Sequence, residues 1–197
     1  MAISHGFRRH RRTHTCTASF SAFEADLLRS LAAQIVELLR SESATSEGVA
    51  GTDPLEQLVD LSDSTEEPED PVLARLLPTA YPDDEEAAAD FRRFTEGALR
   101  NGKVADASLV IRTLEEAGLS DGPEAGVPVE VELDREAGMG WMRALTDIRL
   151  ALATRLGVED DDEDSWRDLA EQDPRGQVHD IYQWVGFLQE TLVEALG

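Results

Sequence analysis

The stretch "THTCTASFSAFEADLLRSLAAQIVELL", residues 13–39, carries a strand pattern, a helix start and an apolar helix face in direct succession. In residues 13–20, hydroxyl side chains alternate with less polar ones, and this period of two is typical of a strand with one buried face. Ser21 and Glu24 have the spacing of a capping box, which predicts that a helix begins at about Ala22. Leucines then recur at helical spacing, so we expect this helix to pack into the core.

Helical periodicity dominates the rest of the chain. One further strand pattern, "VPVEVEL" at residues 127–133, alternates apolar residues with Pro and Glu. Because an isolated strand leaves its backbone unpaired, we expect residues 127–133 to pair with residues 13–20. The predicted fold class is therefore mainly α, a single-domain helical bundle with a minor two-stranded β element. Beyond the first helix, we predict helices over about 71–77, 83–100, 103–117, 135–156 and 176–196.

Two of these predicted helices form a hairpin. Asn101-Gly102 is expected to end the helix over 83–100, and the next helix then follows over 103–117. Helical spacing assigns a core face to the first of the two, made of Phe91, Phe94, Ala98 and Leu99.

The domain organisation follows from composition. A chain of 197 residues suits one domain with a long insertion. We predict a flexible basic arm over residues 1–12 and a single helical domain over residues 13–197. Within that domain, residues at about 41–70 are rich in Ser, Thr, Glu, Asp and Gly, which predicts a mobile acidic insertion. The run "EDDDED" at 159–164 lacks the spaced acids and central glycine of a calcium loop, so we interpret it as a solvated face.

Charge argues against a broad nucleic-acid-binding face. The net charge is −23, and because residues 1–23 carry four arginines and no carboxylate, the remainder carries −27. Such a surface repels phosphate backbones within a screening length of about 8 Å at physiological salt. A local contact with an anion or nucleic acid stays open at the basic end, through Arg8, Arg9, Arg11 and Arg12.

The location of the protein is predicted from three features. No apolar run approaches the roughly 20 residues needed to span a bilayer, and no apolar segment of a secretory signal is found near the N-terminus. A single cysteine cannot form a disulfide within one chain. We therefore expect a soluble, cytoplasmic protein without a membrane contact.

No set of residues predicts catalysis or a cofactor. The acids lie in runs or at helix starts, and the chain has no glycine-rich phosphate loop, His-Glu metal motif or nucleophile elbow. His5, His10 and His14 could join Cys16 around a metal ion, but a flexible arm does not hold donors rigidly enough. We therefore predict a protein that is not an enzyme and has no cofactor and no metal.

Cys16 has two interpretations. Free cysteine packs as a small hydrophobe, and the alternation of residues 13–20 places Cys16 on the side of Ala18 and Phe20, which favours burial. A reactive thiolate, in contrast, needs access and positive surroundings, which the nearby arginines would supply. Cys16 is thus kept as a candidate redox residue.

Several segments together resemble a known family. They are "LLRSLAAQIVELL", "DPVLARLLPTAYPDDEEAAADFRRFTEGALRNGK", "WMRALTDIRLALATRLGV" and "IYQWVGFLQETLVEAL". In this order they resemble an actinobacterial family of unknown function that includes the oxidative-stress transcriptional regulator AosR, over about residues 20–197. The resemblance implies redox-responsive control of sulfur-assimilation and cysteine-biosynthesis genes, in partnership with a stress sigma factor. It also implies, as a second association, adaptor function in Clp-type proteolysis.

The chain departs from the family in its cysteine content. The regulator of that family is described as sensing oxidation through a disulfide between closely spaced cysteines, whereas this chain has only Cys16. No sensing pair is carried over. We therefore expect a non-enzymatic regulator that acts through protein contacts with a stress sigma factor, and the alternative is an adaptor or interaction module linked to Clp-type proteolysis. An uncharacterised enzyme has the least support.

Overall fold

The structure is a computed structural model, and it describes residues 5–46, 68–81, 83–119, 127–157 and 173–197. In this part of the chain, five helices and one small sheet follow one another. In chain order the elements are β1 (His5–Arg9), β2 (Cys16–Phe20), α1 (Ala22–Ser46), α2 (Pro71–Leu76), α3 (Glu85–Glu116), β3 (Val129–Leu133), α4 (Arg135–Leu156) and α5 (Pro174–Leu196). The predicted mainly α fold with a minor β element is confirmed. No helix among these residues is long and apolar enough to cross a membrane.

The sheet has three antiparallel strands in the order β1-β2-β3. The predicted pairing of the two alternating segments is confirmed, because Cys16 lies opposite Leu133 and Phe20 lies opposite Val129. Along β3 the valines and Leu133 are buried, while Glu130 and Glu132 are exposed. One face of the sheet therefore packs on the helices, and the other faces water.

The predicted flexible arm is wrong for residues 5–9, because they form strand β1, which adds a third strand to the predicted two-stranded element. Phe7 is only 4% exposed, and its ring packs edge-on against those of Phe20 and Trp141. The Phe7 amide donates a hydrogen bond to Thr191 Oγ1 of α5 at 3.0 Å. A Cβ atom at Gly6 would collide with the Thr191 side chain, so glycine permits this close approach of β1 to α5. A single buried aromatic residue thus ties the N-terminal strand to the core.

Helix α4 lies at the centre of the bundle. It contacts every other helix and strand β3. Trp141, Leu145 and Ile148 are at most 1% exposed, and the Trp141 ring stacks on Phe20 at a centroid distance of 6.3 Å. The predicted end of α4 is confirmed, because Gly157 adopts a left-handed φ of 66° there.

Helix caps largely follow the sequence. The Ser21–Glu24 capping box is confirmed: the Ser21 amide donates to Glu24 Oε2 at 2.8 Å, and the Glu24 amide donates to Ser21 Oγ at 3.3 Å. Asp134 caps α4 through the Ala137 amide. The helix predicted from about residue 83 begins at Glu85, because Asp84 caps it through the Ala87 amide.

The predicted hairpin at Asn101-Gly102 is wrong, because α3 is one continuous helix of 32 residues. A glycine within a helix costs about 1 kcal/mol relative to alanine. Contacts on both sides of Gly102 offset this cost: Arg100 donates to the Leu39 carbonyl of α1 at 2.6 Å, and Lys103 pairs with Asp147 of α4.

The core face predicted for the first half of α3 is also wrong. Phe91, Phe94 and Leu99 are 42%, 68% and 44% exposed. The buried residues on this half are Ala88 at 7% and the charged Glu96 and Arg100 at 5% and 9%. Helical spacing identified an apolar face correctly, but the helix turns that face to solvent.

The predicted start of the acidic insertion at about residue 41 is wrong, because α1 continues to Ser46. Its remainder over residues 47–67 lies outside the described residues. The acidic run at 159–164 lies outside them as well.

Candidate functional site

The four arginines of the basic N-terminus are presented by an ordered β-hairpin. Arg8 and Arg9 belong to β1, whereas Arg11 and Arg12 lie in the connection to β2, and all four are exposed. In the part of the chain that the structure describes, none of them pairs with a carboxylate within 4.0 Å. The hairpin is therefore a local positive surface on an acidic protein, with donors available to an anion.

Hydrogen bonds hold the hairpin connection. The His10 amide donates to the Thr15 carbonyl at 2.7 Å, and the His14 amide donates to the His10 carbonyl at 2.9 Å. His14 accepts a left-handed φ of 58° to close this turn. The Thr15 hydroxyl donates to Glu132 Oε1 of β3 at 2.7 Å, which ties the connection to the far strand.

These positions do not bring the candidate metal donors His10, His14 and Cys16 together. Cys16 faces the core, while His10 and His14 are exposed in the connection. Among the described residues, no group of three or more His, Cys, Asp or Glu side chains is arranged around a common point that would hold a metal ion.

Cys16 lies beneath the hairpin on the inner face of the sheet. It is 2% exposed, and burial raises the pKa of its thiol, while the positive charges of Arg9 and Arg135 oppose that rise. A thiol with a raised pKa carries less of the reactive thiolate at neutral pH. In this conformation Cys16 is a packed core residue, and an oxidant reaches it only after local opening.

The same two arginines lie at the C-terminal end of α5. Arg135 Nη1 donates to the Leu196 carbonyl at 3.2 Å, and a Cβ atom built on Gly197 would lie 2.7 Å from Arg9 Nη1. Positive groups stabilise the negative end of a helix dipole. The end of α5, the hairpin and the surroundings of Cys16 are thus one connected region.

A groove runs over the outer face of the sheet. It has a volume of about 650 Å³ and is lined by Arg8, Thr17 and Ser19 together with Glu130 and Glu132. It is shallow and open, and its charges have mixed sign. These side chains form a polar surface but not the convergent acid, base and nucleophile that catalysis requires.

A charged network between α3 and α4 was not found from the sequence. Lys103 Nζ lies 2.6 Å from Asp147 Oδ1, and Arg143 makes a bidentate pair with Asp106 at 2.6 and 2.7 Å. Asp147 is 4% exposed, and burial raises the pKa of its carboxyl although the Lys103 hydrogen bond lowers it. One signal was present: Lys103 is the only lysine in the chain.

The guanidinium of Arg149 on α4 is bound by uncharged side chains of α5. Arg149 of α4 donates to Gln189 Oε1 at 2.9 Å and to the Tyr182 hydroxyl at 3.2 Å, and its guanidinium lies 4.9 Å from the Tyr182 ring centroid. These contacts join α4 to α5 and are structural.

Comparison with known proteins identifies relatives over most of the chain. The family described as "Domain of unknown function (DUF2017)" matches residues 4–196. The putative oxidative stress regulator AosR of Mycobacterium leprae is 34% identical over 191 residues, which cover 88% of this chain and 78% of the relative. The oxidative stress regulator AosR of Mycobacterium tuberculosis, and that of Mycobacterium bovis, are 29% identical over 185 residues, which cover 91% of this chain and 81% of each relative.

No solved structure matches the chain. The family of this chain is therefore identified from the family match and from relatives, which are named as regulators and not as enzymes. The family match extends from the strand that precedes the basic hairpin connection to the last turn of α5. The chain belongs to the DUF2017 family.

Proposed function

We propose that this chain is a non-enzymatic regulator of the oxidative-stress response that acts through protein contacts in the cytoplasm. The observation that carries the proposal is the similarity, over most of the chain, to proteins named oxidative stress regulators. The expected partner is a stress sigma factor, and the expected targets are genes of cysteine and sulfur metabolism. No cofactor or metal takes part in the proposed activity.

The charge of the molecule supports action through a protein partner. A net charge of −23 favours encounter with a basic protein surface by electrostatic steering and opposes binding to DNA alone. The exposed hairpin arginines, Arg8, Arg9, Arg11 and Arg12, offer a local contact for an anionic group.

The position of Cys16 supports regulation without direct thiol sensing in the resting state. Burial raises the pKa of this thiol, and the chain has no second cysteine. We expect Cys16→Ser to leave the oxidant response of the resting protein unchanged. A response that disappears in the Cys16→Ser variant would assign the sensor to this residue after local opening.

The proposal is tested by deleting the gene in its own host and measuring transcripts of cysteine-biosynthesis genes before and after oxidant. We expect the oxidant-induced rise to fall several-fold in the deletion strain and to return when the full chain is expressed again. An unchanged transcript response would contradict the proposed function. Loss of the chain that altered protein half-lives and left these transcripts unchanged would assign it to Clp-type proteolysis.

Direct DNA binding is measured separately, by fluorescence anisotropy with promoter DNA and the purified chain at several salt concentrations. We expect no specific binding near physiological salt. Tight binding by the chain alone would contradict action through a protein partner, and a steep salt dependence would assign the contacts to phosphates.

A further inference from the structure

An exposed apolar stripe runs along the outer side of α3. Five residues at helical spacing form this α3 outer stripe, and all five are exposed: Phe91, Phe94, Ala98, Gly102 and Ala105. From the first to the last they span about 21 Å, or nearly four turns. Phe94 is 68% exposed, and the half-exposed Tyr81 packs edge-on against Phe91 at 5.8 Å.

The inner side of the same half-helix is charged. Glu96 pairs with Arg100 at 2.7 Å and with Arg92 at 3.7 Å, and all three side chains are at most 10% exposed. Arg100 also donates to the Leu39 carbonyl, and Arg92 donates to Thr79 Oγ1 at 3.0 Å. Charges thus anchor α3 to its neighbours, while its aromatic residues face outward.

Stability does not explain this arrangement. A buried ion pair contributes no more to stability than well-packed apolar residues of the same size, and often less. Turning the phenylalanines inward would bury apolar area at about 25 cal/mol per Å². A contiguous apolar patch that is kept exposed is typical of a surface that binds another molecule.

Most charges beside the aromatic end of the stripe are acidic, although the guanidinium of the exposed Arg93 also lies 6.0 Å from the Phe94 ring centroid. Asp83, Glu85, Glu86 and Asp90 are exposed next to the aromatic end and form no ion pair within the described residues. Glu85 and Glu86 also suit the positive end of the α3 dipole, so the acids alone do not define a site. Together with the stripe, they complement a partner whose apolar residues are flanked by Lys or Arg.

The small residues at the other end of the stripe favour a helix as the occupant. Nothing lies within 4 Å of a Cβ atom built on Gly102, and Ala98 and Ala105 flank it. Two helices approach closely where one of them presents small side chains along a line. A second copy of this chain is disfavoured, because each copy carries −23 and would bring the same acids to the contact.

We propose that the α3 outer stripe binds one amphipathic helix of a partner protein. The apolar face of that helix contacts Phe91 and Phe94, and its basic end lies beside Asp90. This inference deepens the proposed function and rests on it only in that both require a protein partner. The contact is made by the outer face of α3 and leaves the hairpin and Cys16 free for other roles.

The proposal is tested with the full chain and a labelled synthetic helical peptide of 18 residues, built from Leu, Ala and Lys with leucines on one face and lysines at one end. Fluorescence anisotropy gives the dissociation constant at physiological and at high salt. We expect Phe94→Ser to weaken binding about tenfold, as loss of a central aromatic contact does. Phe23→Ser is the matched control, because Phe23 is 74% exposed at the other end of α1 from Leu39; this variant should bind as the original chain does.

Two further probes keep the result specific. A peptide of the same composition with a scrambled leucine pattern, and an analogue with Glu in place of Lys, should both bind at least tenfold more weakly. Both exposed phenylalanine variants should melt at the temperature of the original chain, so a loss of binding is not a loss of folding.

Three results would overturn the proposal. They are equal binding by the Phe94→Ser variant, equal binding of the scrambled peptide, and sedimentation of the chain as a dimer that Phe94→Ser dissociates, which would make a second copy the occupant. The deletion strain separates this test from that of the function. If transcripts do not depend on the gene while the peptide still binds through Phe94, the surface stands and the proposed function fails.

Discussion

Phenylalanine side chains are buried at one end of the bundle and exposed at the other. At the sheet end, Phe7 and Phe20 pack on Trp141, while the arginines of the hairpin are exposed. On the first half of α3, Phe94 is exposed while Glu96 and Arg100 are buried. Burial of apolar area stabilises the first region. The second region gives up that stabilisation, and the physical reason we infer is that its apolar surface is covered by a partner.

Truncation of one phenylalanine in each region should give the largest difference in stability. Phe7→Ala should destabilise the protein by about 3–4 kcal/mol, because it leaves a cavity beside Trp141. Phe94→Ala should change the free energy of unfolding by less than about 0.5 kcal/mol, as exposed positions do. Urea unfolding followed by circular dichroism measures both. A small effect of Phe7→Ala would mean that the N-terminal residues form a flexible arm and are not anchored in the core.

The next prediction concerns the accessibility of Cys16. Alkylation of the folded protein at neutral pH should be at least about 100-fold slower than alkylation of the protein unfolded in urea, since the thiol reacts only through opening. Mass spectrometry of timed samples measures the two rates. Similar rates would show that the sheet end does not protect its core, and would make Cys16 a candidate sensor in the resting state.

These contrasts show what the sequence could reveal about the fold. Period-two alternation predicted strands at 13–20 and 127–133, and the scarcity of strands predicted their pairing, which the register Cys16–Leu133 confirms. Strand β1 was missed because "HGFRR" holds a single apolar residue and no alternation. Its place depends on a tertiary contact, the packing of Phe7 on Trp141, that no local pattern encodes.

Helix α3 shows the same limit for the candidate site. Periodicity finds an apolar face on a helix but does not tell whether another element covers it. Here Arg100 turns inward because the Leu39 carbonyl accepts its hydrogen bond, and the partner of that bond lies 61 positions earlier in the chain. Likewise, alternation predicted that Cys16 faces the core, whereas the raised pKa of its thiol follows from a burial that only the fold provides.

A third prediction uses the buried carboxyl of Asp147, which lies with Lys103, Asp106 and Arg143 between α3 and α4. Burial raises its pKa above the ordinary value of 3.8, so the native state binds this proton more tightly than the unfolded state. The group therefore adds stability as the pH falls from that raised pKa towards 3.8, and it opposes folding above the raised pKa. Relative to Asp147→Asn, the original chain should gain stability on acidification from neutral pH.

The measurement is urea unfolding of both proteins between pH 7 and pH 4. The difference in unfolding free energy between the original chain and Asp147→Asn should grow in favour of the original chain as the pH falls. Parallel curves would mean that Lys103 compensates the burial of Asp147 fully.

The smallest effect is expected at the tip of the hairpin. Arg11→Ala combined with Arg12→Ala should change stability by less than about 0.5 kcal/mol, because both side chains are exposed and form no ion pair in the described residues. Binding to a polyanion such as heparin should weaken, and its salt dependence should become shallower by about two phosphate-type contacts. Unchanged heparin binding would remove the hairpin from the candidate anion contacts.

The most direct test asks whether the exposed face of α3 is required for the proposed regulation. The deletion strain is complemented with the original chain, with Phe94→Ser and with Phe23→Ser at equal protein levels, and cysteine-biosynthesis transcripts are measured after oxidant. We predict that the original chain and Phe23→Ser restore induction and that Phe94→Ser does not. Full restoration by Phe94→Ser would contradict the claim that this protein regulates through the outer face of α3.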